Sequence, residues 1–325
     1  MHRHCTGDEH DRPTFNKSLS HQTLSFTYTG GALLCIVFLF SACDGFMDDG
    51  GTREQIIQKL QYAEAPTYLI NVDDANGSGV VNNPAGGKAY KKVTDTFNVS
   101  LSLPNDYDFL YWKIKDKSTD YELANEEFLA LSSLINPDTE CTLLKAPQEG
   151  MKLYLIPVIA DRPAVSNNEP KYNSAGVVKS SAIIIEFDKP MNPHSIYYTQ
   201  DEIDELNEKY EPDEITFLKA NANQYYGYKL NTDDDSNSTI TFKNIQITNY
   251  NNSENLLMYF NAPQFDNTNK KLTITPKSNF PGGTTVFVTI EKNFYYQTQI
   301  YNNEQKFIYM SKAFSWNYLV NNKTN

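Results

Sequence analysis

Residues 181–196 read Ser-Ala-Ile-Ile-Ile-Glu-Phe-Asp-Lys-Pro-Met-Asn-Pro-His-Ser-Ile. Ile183, Ile184 and Ile185 are β-branched and lead into Phe187, an apolar run suited to a strand buried on at least one face. Pro190 and Pro193 end that strand, because neither offers an amide hydrogen to a sheet ladder. The chain must then leave the sheet at a fixed corner, with Met191 inside it, and turn back toward Ser195 and Ile196.

The surroundings repeat the texture of short strands and turns. Strands are predicted over 215–218, 225–230, 239–248, 256–260, 271–275, 284–291 and 306–320, with turn residues between them, the pattern of a β-sandwich. One clear helix is predicted over 199–210. Thr199 and Glu202 form a capping box, and Ile203, Leu206 and Tyr210 share a face. Composition agrees with a β protein: 22 Tyr and 18 Phe stand in a chain of 325 residues that is 40% hydrophobic.

The segment Phe187-Asp-Lys-Pro-Met-Asn-Pro193 resembles the first long strand of the SbsA-type bacterial Ig-like domain. Leu272-Thr-Ile-Thr-Pro276 followed by Phe280-Pro-Gly-Gly-Thr-Thr-Val-Phe-Val288 resembles the second half of the same family. The resemblance implies an Ig-like sandwich over 161–321, with 199–210 as an inserted helix. It implies no reaction.

Upstream, Tyr68 to Val72 is apolar, and Asp73 to Gly79 is dense in turn residues. Phe97, Val99, Leu101 and Leu103 alternate with polar residues, the period of a half-exposed strand. A short helix or a connection is expected over 126–134, and strands over 142–147 and 151–159 close this region. Gly-Ser-Gly-Val at 77–80, that alternating strand, then Pro104 and aromatic positions ending in Trp112 resemble a divergent internalin B-type repeat over 68–159. The expectation is a smaller β-rich domain at 67–160, with Asp161-Arg162-Pro163 as the boundary.

The first part of the chain bears on location. Ala32 to Phe40 is an apolar run much shorter than the roughly 20 residues of a membrane-spanning helix. Small residues Ser41 and Ala42 follow, then Cys43, the layout of a secretory signal and its cleavage site. Leu-Phe-Ser-Ala-Cys at 39–43 resembles the lipobox of bacterial lipoproteins, which implies cleavage before Cys43 and acylation of its thiol. Residues 1–42 are then the signal region. Its first 31 residues hold only Arg3, Arg12 and Lys17 as basic groups, so the expected translation start lies downstream of Met1. Residues 43–66, with Asp44, Asp48, Asp49, Gly50 and Gly51 and a short helical pattern from Arg53, read as a tether.

Cleavage leaves Cys43 for the lipid, Cys141 as the one other cysteine and His194 as the one histidine. No intramolecular disulfide or ordinary zinc site can be assembled from them, so no metal or cofactor is expected. A formal charge of −12 argues against nucleic acid and against a polybasic membrane patch. Membrane contact is expected through the lipid alone.

Residues able to carry chemistry each have a plainer reading. Asp233 to Ser238 and Asp73 to Asn83 offer oxygens for calcium but lack the EF-hand glycine and glutamate, and read as solvated turns. His194 beside Ser195 reads as a surface turn residue, since sequence neighbours rarely meet as base and nucleophile. Cys141 reads as a small buried group. Tyr111 and Trp112, and Tyr225, Tyr226 and Tyr228, are candidate aromatic platforms for a sugar or protein, as is the Tyr295-Tyr296 pair; cross-strand packing is the competing reading. The expectation is an exported, lipid-anchored cell-envelope protein with a binding or structural role and no catalytic activity. Its partner would be an envelope protein, a glycan or a host surface. The alternative is a carbohydrate-binding or carbohydrate-active protein using aromatics and carboxylates.

Overall fold

The computed structural model describes residues 53–231, 239–278 and 280–322. Cys43, the run 32–40 and the acidic stretch 233–238 lie outside them. The chain divides into a unit ending at Ala65 and a unit from Pro66 to Asn325. The first contains α1 (Arg53–Glu64), which carries Glu54 in its first turn, where a carboxylate opposes the helix dipole. Pro66 follows it closely.

The second unit is built of β-strands with one α-helix among its described residues. Its first strands are β1 (Tyr68–Val72), β2 (Val80–Asn83), β3 (Lys88–Lys91), β4 (Thr96–Ser102), β5 (Tyr107–Asp116), β6 (Tyr121–Leu123), β7 (Leu129–Leu131), β8 (Asp138–Leu143) and β9 (Leu153–Asp161). They form two sheets, ordered β3-β1-β9-β5-β6 and β2-β4-β8-β7. A core lies between the sheets, with Trp112, Ile114 and Leu155 from one facing Val99, Leu129 and Leu143 from the other. Cys141 is wholly buried in that core, and desolvation pushes its thiol up to about 12.

The chain continues through β10 (Val165–Glu169), β11 (Ser174–Val177), β12 (Ile183–Phe187), α2 (Gln200–Lys209), β13 (Ile215–Asn221), β14 (Gln224–Leu230), β15 (Thr239–Phe242) and β16 (Ile245–Asn249). It ends with β17 (Gln264–Phe265), β18 (Lys271–Ile274), β19 (Thr285–Ile290), β20 (Tyr295–Gln299), β21 (Gln305–Tyr309) and β22 (Phe314–Val320). The sheets β10-β12-β18-β17 and β11-β22-β19-β16-β15-β14-β13 enclose a second core. The opening strand is shared between sheets, β10 antiparallel to β12 and β11 parallel to β22. The architecture is all-β and Ig-like.

Strand β12 behaves as its sequence requires. Ile183, Ile185 and Phe187 point inward and Ile184 and Glu186 outward, so the isoleucine run is buried on one face only. Ile183 stands opposite Ile274 and Ile185 opposite Leu272. Met191, 2% exposed, plugs the proline corner. The Asn192 side chain accepts from the His194 amide at 2.9 Å, and the Asn192 amide donates to the Tyr295 carbonyl at 2.8 Å. The corner is thereby tied to the start of β20.

The helix α2 carries the predicted capping box, with both Thr199 and Glu202 bonds made. Other elements differ from expectation for local reasons. The run 256–260 is a single 3-10 turn at Leu257–Tyr259, because Leu256, Leu257 and Phe260 are all drawn into the core, which an alternating strand forbids. The stretch 239–248 is a hairpin, β15 and β16, turning at Lys243 and Asn244, where Asn244 has φ +59°. The stretch 306–320 divides into β21 and β22 at Ser311 and Lys312. The segment 126–134 contains β7, and the strand expected at 142–147 runs earlier, as β8.

Asp116 fastens the turn after β5. Its carboxylate accepts from the amides of Lys152 and Ser118, each at 2.9 Å, and from the hydroxyls of Ser118 at 2.7 Å and Thr119 at 3.1 Å. These bonds, the Lys152 amide foremost, bring its pKa from the ordinary 3.8 to about 2. A depressed carboxyl contributes stability that is complete above 3.8 and fades as pH falls toward 2. The denaturation midpoint of the wild type should therefore drop more steeply over that interval than that of Asp116→Asn. Parallel slopes would remove Asp116 from the acid response.

Candidate functional site

The two sandwiches meet at a bonded joint. Strand β9 ends at Asp161 and β10 begins at Val165, so the connection is only three residues long. Asp108 on β5 lies 3.3 Å from Arg162 Nη2 and 2.8 Å from Lys306 Nζ, an anion shared by two cations. Lys306 also donates to the Phe109 carbonyl at 2.5 Å, the Tyr296 hydroxyl donates to the Asp161 carbonyl at 2.9 Å, and Ser311 donates to Asp106 at 3.3 Å. Both Lys306 and Tyr296 lie on the hairpin β20–β21, which thus spans from the proline corner of the second sandwich to the first.

Tyr111 sits beside this joint. Its ring lies 6.2 Å from that of Tyr301, at the hairpin tip, and the two border a cleft of about 300 Å³ that also includes Tyr121, Asn125 and Glu127. Trp112, its neighbour, is not available as a platform. Alternation along β5 turns it inward to 1% exposure, against Phe109 at 5.3 Å, and its indole donates to the Asn136 carbonyl at 2.9 Å.

The β14 tyrosines likewise do not form one surface. Tyr226 packs edge-on to Phe242 at 5.0 Å, against the core, and burial raises its pKa. Tyr228 contacts Tyr198 and Tyr210 beside α2. A register shift in β14 puts Tyr225 on the same face as Tyr228: it stands opposite Lys219, whose ammonium lies over its ring, and packs at 5.5 Å on Phe217, which is itself opposite Tyr228. Gly227 between them brings β14 against β15; a Cβ there would run into the Thr241 carbonyl oxygen. Alternation separates neighbouring aromatics, and only the strand register says which of them faces the core.

A cavity of about 520 Å³ lies where β15 and β16 diverge and is lined by Glu202, Lys243 and Glu291 among others. Burial works to raise the Glu202 carboxyl, but bonds from Lys243 and Thr199 outweigh it and leave the group below its ordinary range. Burial holds the Lys243 ammonium below its own. A general acid for glycoside cleavage needs a carboxyl shifted upward, so Glu202 is placed for structure and not for proton donation. Glu291 accepts from Gln246 at 2.7 Å. His194 is exposed, whereas Ser195 is buried and committed to the hairpin root, accepting from the Tyr295 amide at 3.1 Å. Among the described residues no group of three or more His, Cys, Asp or Glu gathers to hold a metal ion. No described helix is long and apolar enough to cross a membrane.

No protein-family model and no curated protein matches the chain. Solved structures that align with it include tandem titin Ig domains. Titin z1z2 in complex with telethonin aligns over 80% of this chain and 96% of that one, at 7% identity and a TM-score of 0.22. Titin A164-A165 aligns over 79% and 95%, at 9% identity and a TM-score of 0.19. Likenesses this loose carry no argument about function, and the all-β assignment rests on strand pairing.

Proposed function

We propose that this protein is an exported, lipid-anchored component of a bacterial cell envelope with a binding or structural role and no catalysis. The carrying observation is the joint: Asp108, shared by Arg162 and Lys306, ties the two sandwiches together, while Glu202, Lys243 and Glu291 around the 520 Å³ cavity are held in structural bonds. The lipobox-like residues 39–43 support anchoring through Cys43, and the SbsA-type and internalin B-type resemblances support display on the envelope. An envelope protein, a glycan or a host surface is the partner class. Cells fed a labelled fatty acid should incorporate label into the wild-type chain and not into Cys43→Ala, and the variant should leave the membrane fraction. An unlabelled wild type would remove the anchoring proposal.

A further inference from the structure

The hairpin β20–β21 has two faces of opposite character. Its register pairs Tyr295 with Tyr309, Tyr296 with Ile308, Gln297 with Phe307, Thr298 with Lys306 and Gln299 with Gln305. Tyr296, Lys306 and the wholly buried Ile308 therefore point one way, into the joint and core. Tyr295, Gln297, Gln299, Gln305, Phe307 and Tyr309 point the other way. A strand face turned to water ordinarily carries polar side chains. Here Phe307 is 45% exposed and Tyr309 42%. Their rings stand 5.0 Å and 5.2 Å from Tyr295, which lies between them.

Within this face Gln297 is the side chain bonded to the hairpin's root, through Asn192, and the two exposed rings take no part in that attachment. The back face holds the first sandwich through Lys306 and Tyr296, and the root is held by Asn192 and Ser195. The front is also preset, since Asn192 Nδ2 donates to Gln297 Oε1 at 3.1 Å. A platform already fixed on three sides loses little freedom when a ligand settles on it.

We infer that this outward face binds a neutral polysaccharide, with Phe307 and Tyr309 under sugar rings and the amides of Gln297, Gln299 and Gln305 bonding hydroxyl groups. Charge decides the class. The six side chains include no charged group, although the chain as a whole is at −12. An anionic ligand would meet no cation on the face and a repelling protein behind it, and the Glu202 carboxylate that acts on Tyr295 from beside the face is already engaged by Lys243. Tyrosine and phenylalanine also anchor protein interfaces, so a protein is the competing occupant that the test below separates from a glycan. Amides both donate and accept, which suits hydroxyls. The inference names the ligand of the binding role proposed above, but does not depend on the anchor.

Affinity electrophoresis of the full chain carrying Cys43→Ala tests it, using a neutral β-glucan, a mannan, an α-glucan and, as the charged arm, polygalacturonate. At least one neutral polymer should retard the protein, with retardation unchanged between about 0.05 and 0.5 M salt. Phe307→Thr/Tyr309→Thr, which keeps strand propensity, should weaken retardation about tenfold or more and leave the thermal midpoint nearly unmoved. Tyr309→Trp should retain binding. No retardation by any neutral polymer, retardation only by polygalacturonate, or retardation indifferent to the double variant would overturn the inference. So would a purified protein partner occupying this face in the absence of glycan binding. None of these outcomes bears on acylation, which the labelling experiment reads separately.

Discussion

Trp112→Ala should lower stability by about 3–5 kcal/mol, the range for deleting a large aromatic from a close-packed core. In a folded unit of this size that is a fall of roughly 10 °C in the thermal midpoint. The effect follows from placement: the side chain is 1% exposed, tilted against Phe109, and its indole hydrogen bond to the Asn136 carbonyl ties β5 to the loop before β8. Truncation leaves a cavity and strands that carbonyl with one partner fewer. Trp112→Phe should cost less, since it retains most of the ring volume while still losing the bond. Tyr111→Ala, one residue away on the outward face, should move the midpoint little. Equal, small effects at both positions would mean that β5 lies in the other register, with Trp112 at the surface.

The second large effect is expected at Lys243. Its ammonium, on a side chain 10% exposed, donates to both oxygens of Glu202 and, at 3.2 Å, to the Tyr197 carbonyl, and lies 5.2 Å from the Tyr198 ring centre. Glu202 is also the acidic member of the α2 capping box. One carboxylate therefore joins the helix start to the β15–β16 turn. Removing the lysine by Lys243→Ala leaves a partly buried carboxylate without its cation and an unfilled path for the alkyl stem. A fully buried pair broken this way loses about 3–5 kcal/mol; with the Glu202 side chain 38% exposed, about 2 kcal/mol is expected. Lys243→Met should recover the packing and part of the loss. In a double-mutant cycle with Glu202→Gln, a coupling of about 1 kcal/mol or more is expected, read by chemical denaturation. Additive losses would show that the two residues act separately and that α2 docks through Ile203 alone.

How far the sequence disclosed the fold can be judged residue by residue. Ile183 to Phe187 and the proline corner were legible because β-branching and missing amide hydrogens act locally. Thr199 and Glu202 announced their helix for the same reason, since a capping box is complete within four residues. The 256–260 segment was not legible. Its leucines and phenylalanine suit a strand, but the divergence of β15 from β16 draws them inward, and that divergence is a property of the sheet. The hairpin turn at Lys243 and the break between β21 and β22 at Ser311 were hidden inside the expected strands without a glycine to mark them.

The aromatic positions divide along the same line. Tyr111 and Trp112 are equivalent in composition and opposite in placement, because strand alternation sends neighbours to different faces. Tyr295 and Tyr296 divide likewise, one to the outward platform and one to the joint. Phe307 and Tyr309 escaped notice as surface residues because their alternation with Lys306 and Ile308 reads as an ordinary half-buried strand. What reverses it is Lys306 turning inward to Asp108, a partner nearly 200 residues away in sequence.

The central proposal, a two-sandwich body moored through an acylated thiol, is tested most directly by mass spectrometry of the N-terminal peptide of the protein taken from its own cells. The expected result is a chain beginning at Cys43, with fatty acyl mass on that residue. A chain that retains residues before Cys43, or one that begins there with an unmodified cysteine, would contradict it.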